Sequence, residues 1–305
     1  MSVGAMHAGA PGSAGMGADH ARTVGFVGLG AMGGPMARHL HTRGFLAAVA
    51  NRSPARAEAL ASELGVRAAG TLDALRDCTL VMLCVSADAD VLGCVRTLAN
   101  VLAPGSVVVD HSTVSMQTAR DAHALLAARG IGFVDAPVSG GVEGARNGKL
   151  SIMAGGSDDA LERARPALEA YALRITHMGG PGAGQATKAV NQVLVAGIAQ
   201  AVCEGLALGE KLGLSADKLV PTLGAGAAGN WFLDKRGATM LADQFTPGFK
   251  SALLLKDLRI VQQMAIAAGI RRTVIDQSLA DYAELVDQGR GDEDTSALLR
   301  LKRQP

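Results

Sequence analysis

From Thr23 to about His177 the chain repeats one pattern. Short apolar runs rich in β-branched residues (TVGFVGL, LAAVA, TLVMLCV, SVVVD, GFVDAPV, LSIMAG and RITHM) alternate with amphipathic stretches. Runs of this length, near-continuously apolar and separated by helical patterns, are what strands need when helices cover both faces of a parallel sheet. The pattern stops at the glycine-rich link GGPGAG, residues 179–184. From Gln185 onward only long helical stretches follow, broken by Gly, Pro or Ser-Ala-Asp as in GLSADKL and FTPGFKS. The expected architecture is therefore a doubly wound parallel α/β domain over residues 22–184, then an all-α domain over 185–305 entered through one long interdomain helix. The Gly-, Ala- and Ser-rich opening, residues 1–21, reads as a flexible tail.

Composition removes several classes of partner. Lys plus Arg number 29 against 28 for Asp plus Glu, and the basic residues are scattered, so no electrostatic footprint for nucleic acid or an anionic membrane appears. A small molecule or another copy of the chain is the expected partner. Gln192, Gln200 and Glu204 interrupt the most apolar helix before it reaches the roughly 18 residues of a spanning segment, so no membrane span is expected. The opening residues lack the basic start and apolar centre of an export signal. Cys78, Cys84, Cys94 and Cys203 show no C-x-x-C spacing, and the seven histidines form no H-x-x-H pair. The thiols read as buried and reduced in a cytoplasmic protein, and no metal is expected.

Chemistry first shows in VGFVGLGAMGGPMARHL, where Gly28-x-Gly30-x-x-Gly33 lies between an apolar strand and a helix. The first glycine permits a tight turn, the second lets the backbone approach a pyrophosphate, and the third packs helix on strand. Leu29, Ala31 and Met32 complete the loop at the amide-rich helix end. This is a Rossmann-type dinucleotide site. About 20 residues on, where an NAD site carries an acid for the ribose, the chain has Asn51-Arg52-Ser53. Arg52 can pair with a 2′-phosphate while Asn51 and Ser53 hydrogen-bond it, which favours NADP. NAD stays possible if Arg52 is an ordinary exposed arginine and Asn51 holds the ribose.

Three further loops follow apolar strands, at the carboxyl edge where open α/β sheets bind ligands. They hold Val85-Ser86, Ser112-Thr113 and Ser139-Gly140-Gly141. A serine before two glycines can offer a hydroxyl and unshielded amides to a carboxylate, although a plain glycine turn reads the same way. In the first turns of the interdomain helix, GQATKAVNQ places Lys188 and Asn191 on one face with Gln192 beside them. A lysine partly desolvated there, beside a cationic nicotinamide, would have its pKa lowered and could exchange a proton near neutrality. The alternative is a lysine that snorkels to water.

From about Thr23 to Leu299 the sequence resembles the β-hydroxyacid dehydrogenase family, which includes 3-hydroxyisobutyrate dehydrogenases, tartronate semialdehyde (2-hydroxy-3-oxopropionate) reductases and glyoxylate/succinic semialdehyde reductases. The motifs GFVGLGAMGGPMARHL, DAPVSGGVEGARNGKL, GAGQATKAVNQ and FKSALLLKDLRI stand in the family's order and spacing. The resemblance implies that Ser139, Gly140 and Gly141 hold the substrate carboxylate, that Lys188 is the catalytic lysine, and that Asn191, with Gln192, supports substrate and lysine. It implies that Thr113 and Lys256 contact the cofactor, with Phe249 nearby. It also implies a site between the domains, a small carboxylate-bearing aldehyde or hydroxy acid as substrate, and a homodimer or homotetramer built partly on the long helix. Imine reductases usually carry Asp or Tyr at the position of Lys188, and 6-phosphogluconate dehydrogenases are longer with a histidine near the lysine. A dinucleotide-binding sensor without chemistry is the rival of another class. Trp231, Phe232 and Lys235, in AAGNWFLDKRG, are candidates for substrate choice, and the segment looks most like tartronate semialdehyde reductases.

Overall fold

The computed structural model describes residues 23–304, so the expected tail lies outside the described residues. One sheet contains β1 (Val24–Val27), β2 (Leu46–Ala50), β3 (Arg67–Ala68), β4 (Leu80–Leu83), β5 (Val107–Asp110), β6 (Gly132–Asp135), β7 (Val138–Ser139), β8 (Leu150–Gly156) and β9 (Ala172–Gly179). Its order is β3-β2-β1-β4-β5-β6-β8-β7, with β9 alongside β8. The strands from β3 to β6 pair in parallel, as the sequence pattern predicts. The far side departs from it: β8 runs antiparallel to both β6 and β7, and β9 is parallel to β8, so the sheet is mixed.

The helices of this half are α1 (Gly33–Thr42), α2 (Pro54–Leu64), α3 (Asp88–Val101), α4 (Met116–Ala127), α5 (Gly141–Arg146) and α6 (Asp158–Leu168). Alternate strand residues feed two cores. Phe26, Met82, Val109 and Val134 pack with Met36, Leu40, Leu60 and Leu161 from α1, α2 and α6. Their neighbours Val27, Val81, Val108 and Phe133 pack with Val91, Val95, Ala122 and Leu126 from α3 and α4. The period of two thus places both faces of each central strand under helices, and each fully buried Leu, Val or Phe contributes about 1.5–3 kcal/mol.

The rest is helical: α7 (Ala183–Lys211), α8 (Ala216–Gly224), α9 (Trp231–Leu241), α10 (Ser251–Ala267), α11 (Thr273–Asp287) and α12 (Leu298–Lys302). α7 starts two residues before Gln185 and runs for 29 residues, about 44 Å at the helical rise. Its Ala196, Ala199, Cys203 and Leu206 enter a third core with Phe232, Met240, Leu254, Leu258, Tyr282 and Leu298. By length and a mean hydropathy of 1.5 over an 18-residue window, α7 has the makings of a membrane-crossing helix, so its polar interruptions do not by themselves remove it from that class. In this structure it is the spine of the helical half, and its buried polar residues Gln185, Lys188 and Gln192 all have hydrogen-bond partners.

Candidate active site

The glycine loop between β1 and α1 has the shape a pyrophosphate needs. A Cβ on Gly28 would overlap the Cys84 carbonyl, and one on Gly33 would overlap the Gly28 carbonyl, so the turn closes only with hydrogen at those positions. Gly30 faces open space, with nothing within 4 Å of where its Cβ would stand. Gly30 and Ala31 are exposed, Leu29 is buried, and Met32 is half-buried at the start of α1, whose first turn has neither an acid nor a side-chain cap. Free amides with no competing carboxylate suit a phosphate group.

Asn51 holds this loop in place: its Oδ1 accepts from Leu29 N at 2.9 Å and its Nδ2 donates to Ser53 O at 3.2 Å. The asparagine amide is therefore engaged with the protein's own backbone. Arg52 extends into solvent, its side chain 87% exposed and 3.9 Å from Asp90. Val85 N donates to Ser112 Oγ at 2.9 Å, tying the loop after β4 to the loop after β5.

The helical half closes this edge through α10. Lys256 Nζ donates to Thr113 O at 2.6 Å and lies 3.4 Å from Ser86 O. It also pairs with Asp257 Oδ1 at 3.0 Å. Asp257, 4% exposed, accepts from Gln192 Nε2 at 2.7 Å through its other oxygen. Gln192 Oε1 in turn accepts from Asn191 Nδ2 at 2.8 Å. A continuous polar chain thus runs from the loops over the dinucleotide edge to α7.

Lys188 sits on that helix, 8% exposed, and its Nζ donates to Val138 O at 2.9 Å. Burial pushes the ammonium below the usual lysine range. The Asp257 carboxylate opposes that shift and the Lys256 charge adds to it. Val138 immediately precedes Ser139, so the amine is anchored beside the loop read as a carboxylate holder. Gly140 has φ of 129°, a conformation that side chains resist, and Gly141 opens α5 with the Gly248 carbonyl of the helical half opposite it. The buried amine is therefore held at the backbone of this loop, on the side where Gly248 of the helical half faces Gly141.

The outlying residues divide. Phe249 packs against the helical core and its amide donates to Asp294 Oδ2 at 3.1 Å, so it shapes the wall that carries Gly248. Phe232 is buried in the same core, Lys235 pairs with Asp234 at 3.1 Å, and Trp231 is 56% exposed with Arg236 5.4 Å over its ring. Among the described residues no group of three His, Cys, Asp or Glu is placed to hold a metal. Sequence reasoning passed over Asp257, whose partner Gln192 lies 65 residues away. The signal was its place directly after Lys256 in LLLKDL.

Residues 23–180 match the family model for the NAD binding domain of 6-phosphogluconate dehydrogenase, and residues 182–302 match that for the NAD-binding of NADP-dependent 3-hydroxyisobutyrate dehydrogenase. The chain is 34% identical to an NAD-dependent L-serine dehydrogenase of Pseudomonas aeruginosa, over 92% of its own length and 97% of the relative's. It is 34% identical to the 2-hydroxy-3-oxopropionate reductase of Escherichia coli K12, over 91% and 96%. The solved structure of Mycobacterium tuberculosis 3-hydroxyisobutyrate dehydrogenase with L-serine superposes with a TM-score of 0.84 at 32% identity, covering 92% of this chain and 99% of that one. Glycine loop, interdomain lysine and full-length likeness agree: the chain belongs to the β-hydroxyacid dehydrogenase family and is an NAD(P)-dependent dehydrogenase.

Proposed function

We propose that the protein interconverts a small β-hydroxy acid and its semialdehyde, of the tartronate semialdehyde or 3-hydroxyisobutyrate type, with Lys188 as general acid and base. The observation that carries this reading is the buried Lys188 amine hydrogen-bonded to the residue before Ser139. Nicotinamide, when bound, supplies or accepts the hydride. Ser139 and the amides of Gly140 and Gly141 orient the substrate carboxylate, and Lys188 gives its proton to the carbonyl oxygen as that oxygen becomes a hydroxyl, or takes it back in oxidation. Asn191 and Gln192 support the amine from the same helix, and the Asp257 carboxylate raises its proton affinity. Val85, Ser86, Thr113, Lys256, Phe249 and the glycine loop line the cofactor edge. NADP is the preferred dinucleotide, supported by the exposed Arg52 and the absence of an acid among residues 51–53, with NAD as the alternative.

A homodimer or homotetramer in the cytoplasm is part of this proposal. The exposed Val190 and Leu194 on α7 support the first and the four free cysteines the second. Domain limits at 22–184 and 185–305 are also part of the proposal, supported by the end of the strands at β9 and the start of the helical half with α7 within a few residues of that boundary.

Initial rates of NADPH and NADH oxidation with tartronate, methylmalonate and succinate semialdehydes and glyoxylate test the reading. L-serine and 3-hydroxyisobutyrate are added in the oxidative direction because relatives carry those names. Turnover that falls about 10²–10⁴-fold in Lys188→Ala, with dinucleotide binding intact, is expected. Dinucleotide binding without turnover of any acid would favour a sensor.

A further inference from the structure

Asp135, at the end of β6, is fully buried and grips the start of α7 from a different part of the fold. Its Oδ1 accepts from Gly182 N and its Oδ2 from Gln185 N, both at 2.8 Å. Gly182 is the residue before α7 and Gln185 lies in its first turn, which has no side-chain cap of its own. A carboxylate borrowed from the sheet therefore satisfies amides that a helix start ordinarily leaves open, and its charge faces the positive end of the helix.

The approach is close. A Cβ on Gly155 of β8 would stand 2.6 Å from Asp135 Oδ1 and 2.7 Å from Gly184 N; one on Gly184 would stand 2.8 Å from Asp135 Oδ2. A second anchor comes from the Gln185 side chain, which donates to Ser112 O at 2.7 Å and accepts from Val114 N at 3.2 Å. Burial raises the Asp135 carboxyl to about 6 while the helix amides pull it down, so near pH 7 both oxygens act as acceptors. Asp110, its in-register neighbour on β5, is also buried and has one oxygen without a partner among the described residues. Asp135 lies three residues before Val138, the acceptor of Lys188, and four before Ser139. One short segment of chain thus grips the helix that carries the amine, receives the amine, and begins the carboxylate loop.

We propose that Asp135 is a positioning residue for proton transfer: by holding the first turn of α7 it fixes Lys188 relative to the Ser139-Gly140-Gly141 loop. The proposal rests on Lys188 as the proton donor. It makes Lys188 mechanically part of the sheet-containing domain, although the lysine belongs in sequence to the helical one.

Two measurements test it. In the unsubstituted protein, amide hydrogen exchange read residue by residue should show Gly182 and Gln185 protected at least about 100-fold, where first-turn amides normally lack an intrahelical partner. Exchange there at rates typical of unstructured chain would overturn the grip. In Asp135→Asn, one oxygen becomes a donor facing an N–H. Exchange over residues 182–188 should then rise at least about tenfold, with residues 195–211 unchanged, and kcat should fall about 100-fold at constant dinucleotide KM. Uniform loosening along α7, or local loosening with kcat unchanged, would reduce Asp135 to a structural cap and overturn the proposal. Should the variant not fold, the exchange test on the unsubstituted protein still decides the grip. Absence of turnover in the unsubstituted protein would instead refute the reading of Lys188, leaving the exchange result to be judged alone.

Discussion

Replacing Gly184 by Ala asks how much catalysis depends on the seat of α7. The new methyl carbon would stand 2.5 Å from Asp135 O and 2.8 Å from Asp135 Oδ2, and closer still to Met153 O. Carbon contacts relax only near about 3.5 Å, and two of these obstacles are backbone atoms, so the first turn must lift by roughly 1 Å. A lift of that size stretches the Lys188–Val138 bond from 2.9 Å to nearly 4 Å, outside hydrogen-bonding range. A proton donor displaced by about 1 Å costs on the order of 100-fold in rate, or about 2.7 kcal/mol of activation free energy. Overpacking should lower stability by about 1–3 kcal/mol as well. Single-turnover oxidation of NADPH by saturating aldehyde acid, alongside fluorescence titration of dinucleotide, separates the two effects: kcat falls and dinucleotide affinity stays within about threefold. Gly180→Ala is the control, because a Cβ there meets nothing within 4 Å. Equal rates in Gly184→Ala and Gly180→Ala would refute the reasoning.

Three other expectations follow from the same geometry. Asp110 is fully buried, and burial raises its carboxyl from the ordinary carboxylate range near 3.8 to about 7, so the folded state holds the proton more tightly and the wild type loses stability as pH rises from about 4 to about 8. Asp110→Asn, which cannot ionise, should gain about 2–4 kcal/mol on the wild type across that range in urea titrations, and parallel curves would refute the assignment. Asp257→Asn removes the charge that raises the Lys188 proton affinity, so the fall in reduction rate at high pH should begin at lower pH than in the unsubstituted protein; an unmoved profile would uncouple the two groups. Arg52→Ala should raise KM for NADPH about tenfold and leave KM for NADH unchanged, and equal changes for both dinucleotides would show that Arg52 does not read the 2′-phosphate.

The residues differ in how far their roles could be read from the chain alone. Gly28, Gly30 and Gly33 were legible because a phosphate turn restricts residue type at each position. Phe26 and Val27, Val108 and Val109, and Phe133 and Val134 announced strands because each neighbouring pair had to divide between two cores. β3 and β7 were not legible, since two residues carry no periodicity. Nor was the reversal of β8, because a buried strand has the same composition in either direction. Lys188 stood out as a charge in an apolar helix. Its supports did not: Asp257 and Asp135 act through contacts 65 and 47–50 residues distant in sequence, and nothing local marks a carboxylate as a helix cap made elsewhere. Asn51 stands out in sequence by its place after β2, but nothing local marks that its amide braces the loop on which the cofactor motif depends.

With the substrate placed as proposed, the buried amine would also couple ligand capture to the solvent's pool of protons. In the free protein, burial and the neighbouring Lys256 charge weaken the hold of Lys188 on its proton. On the proposed placement of the substrate, an arriving carboxylate would bring negative charge next to the amine and restore that hold, so association near the lysine's folded-state titration range would take up hydrogen ions from the buffer. The heat of binding should accordingly vary with the ionisation enthalpy of the buffer, in a slope that counts the ions absorbed and that vanishes in Lys188→Ala. Occupancy of such a site would be set jointly by substrate concentration and acidity, and a lysine placed in a dry helix turn is what would join the two.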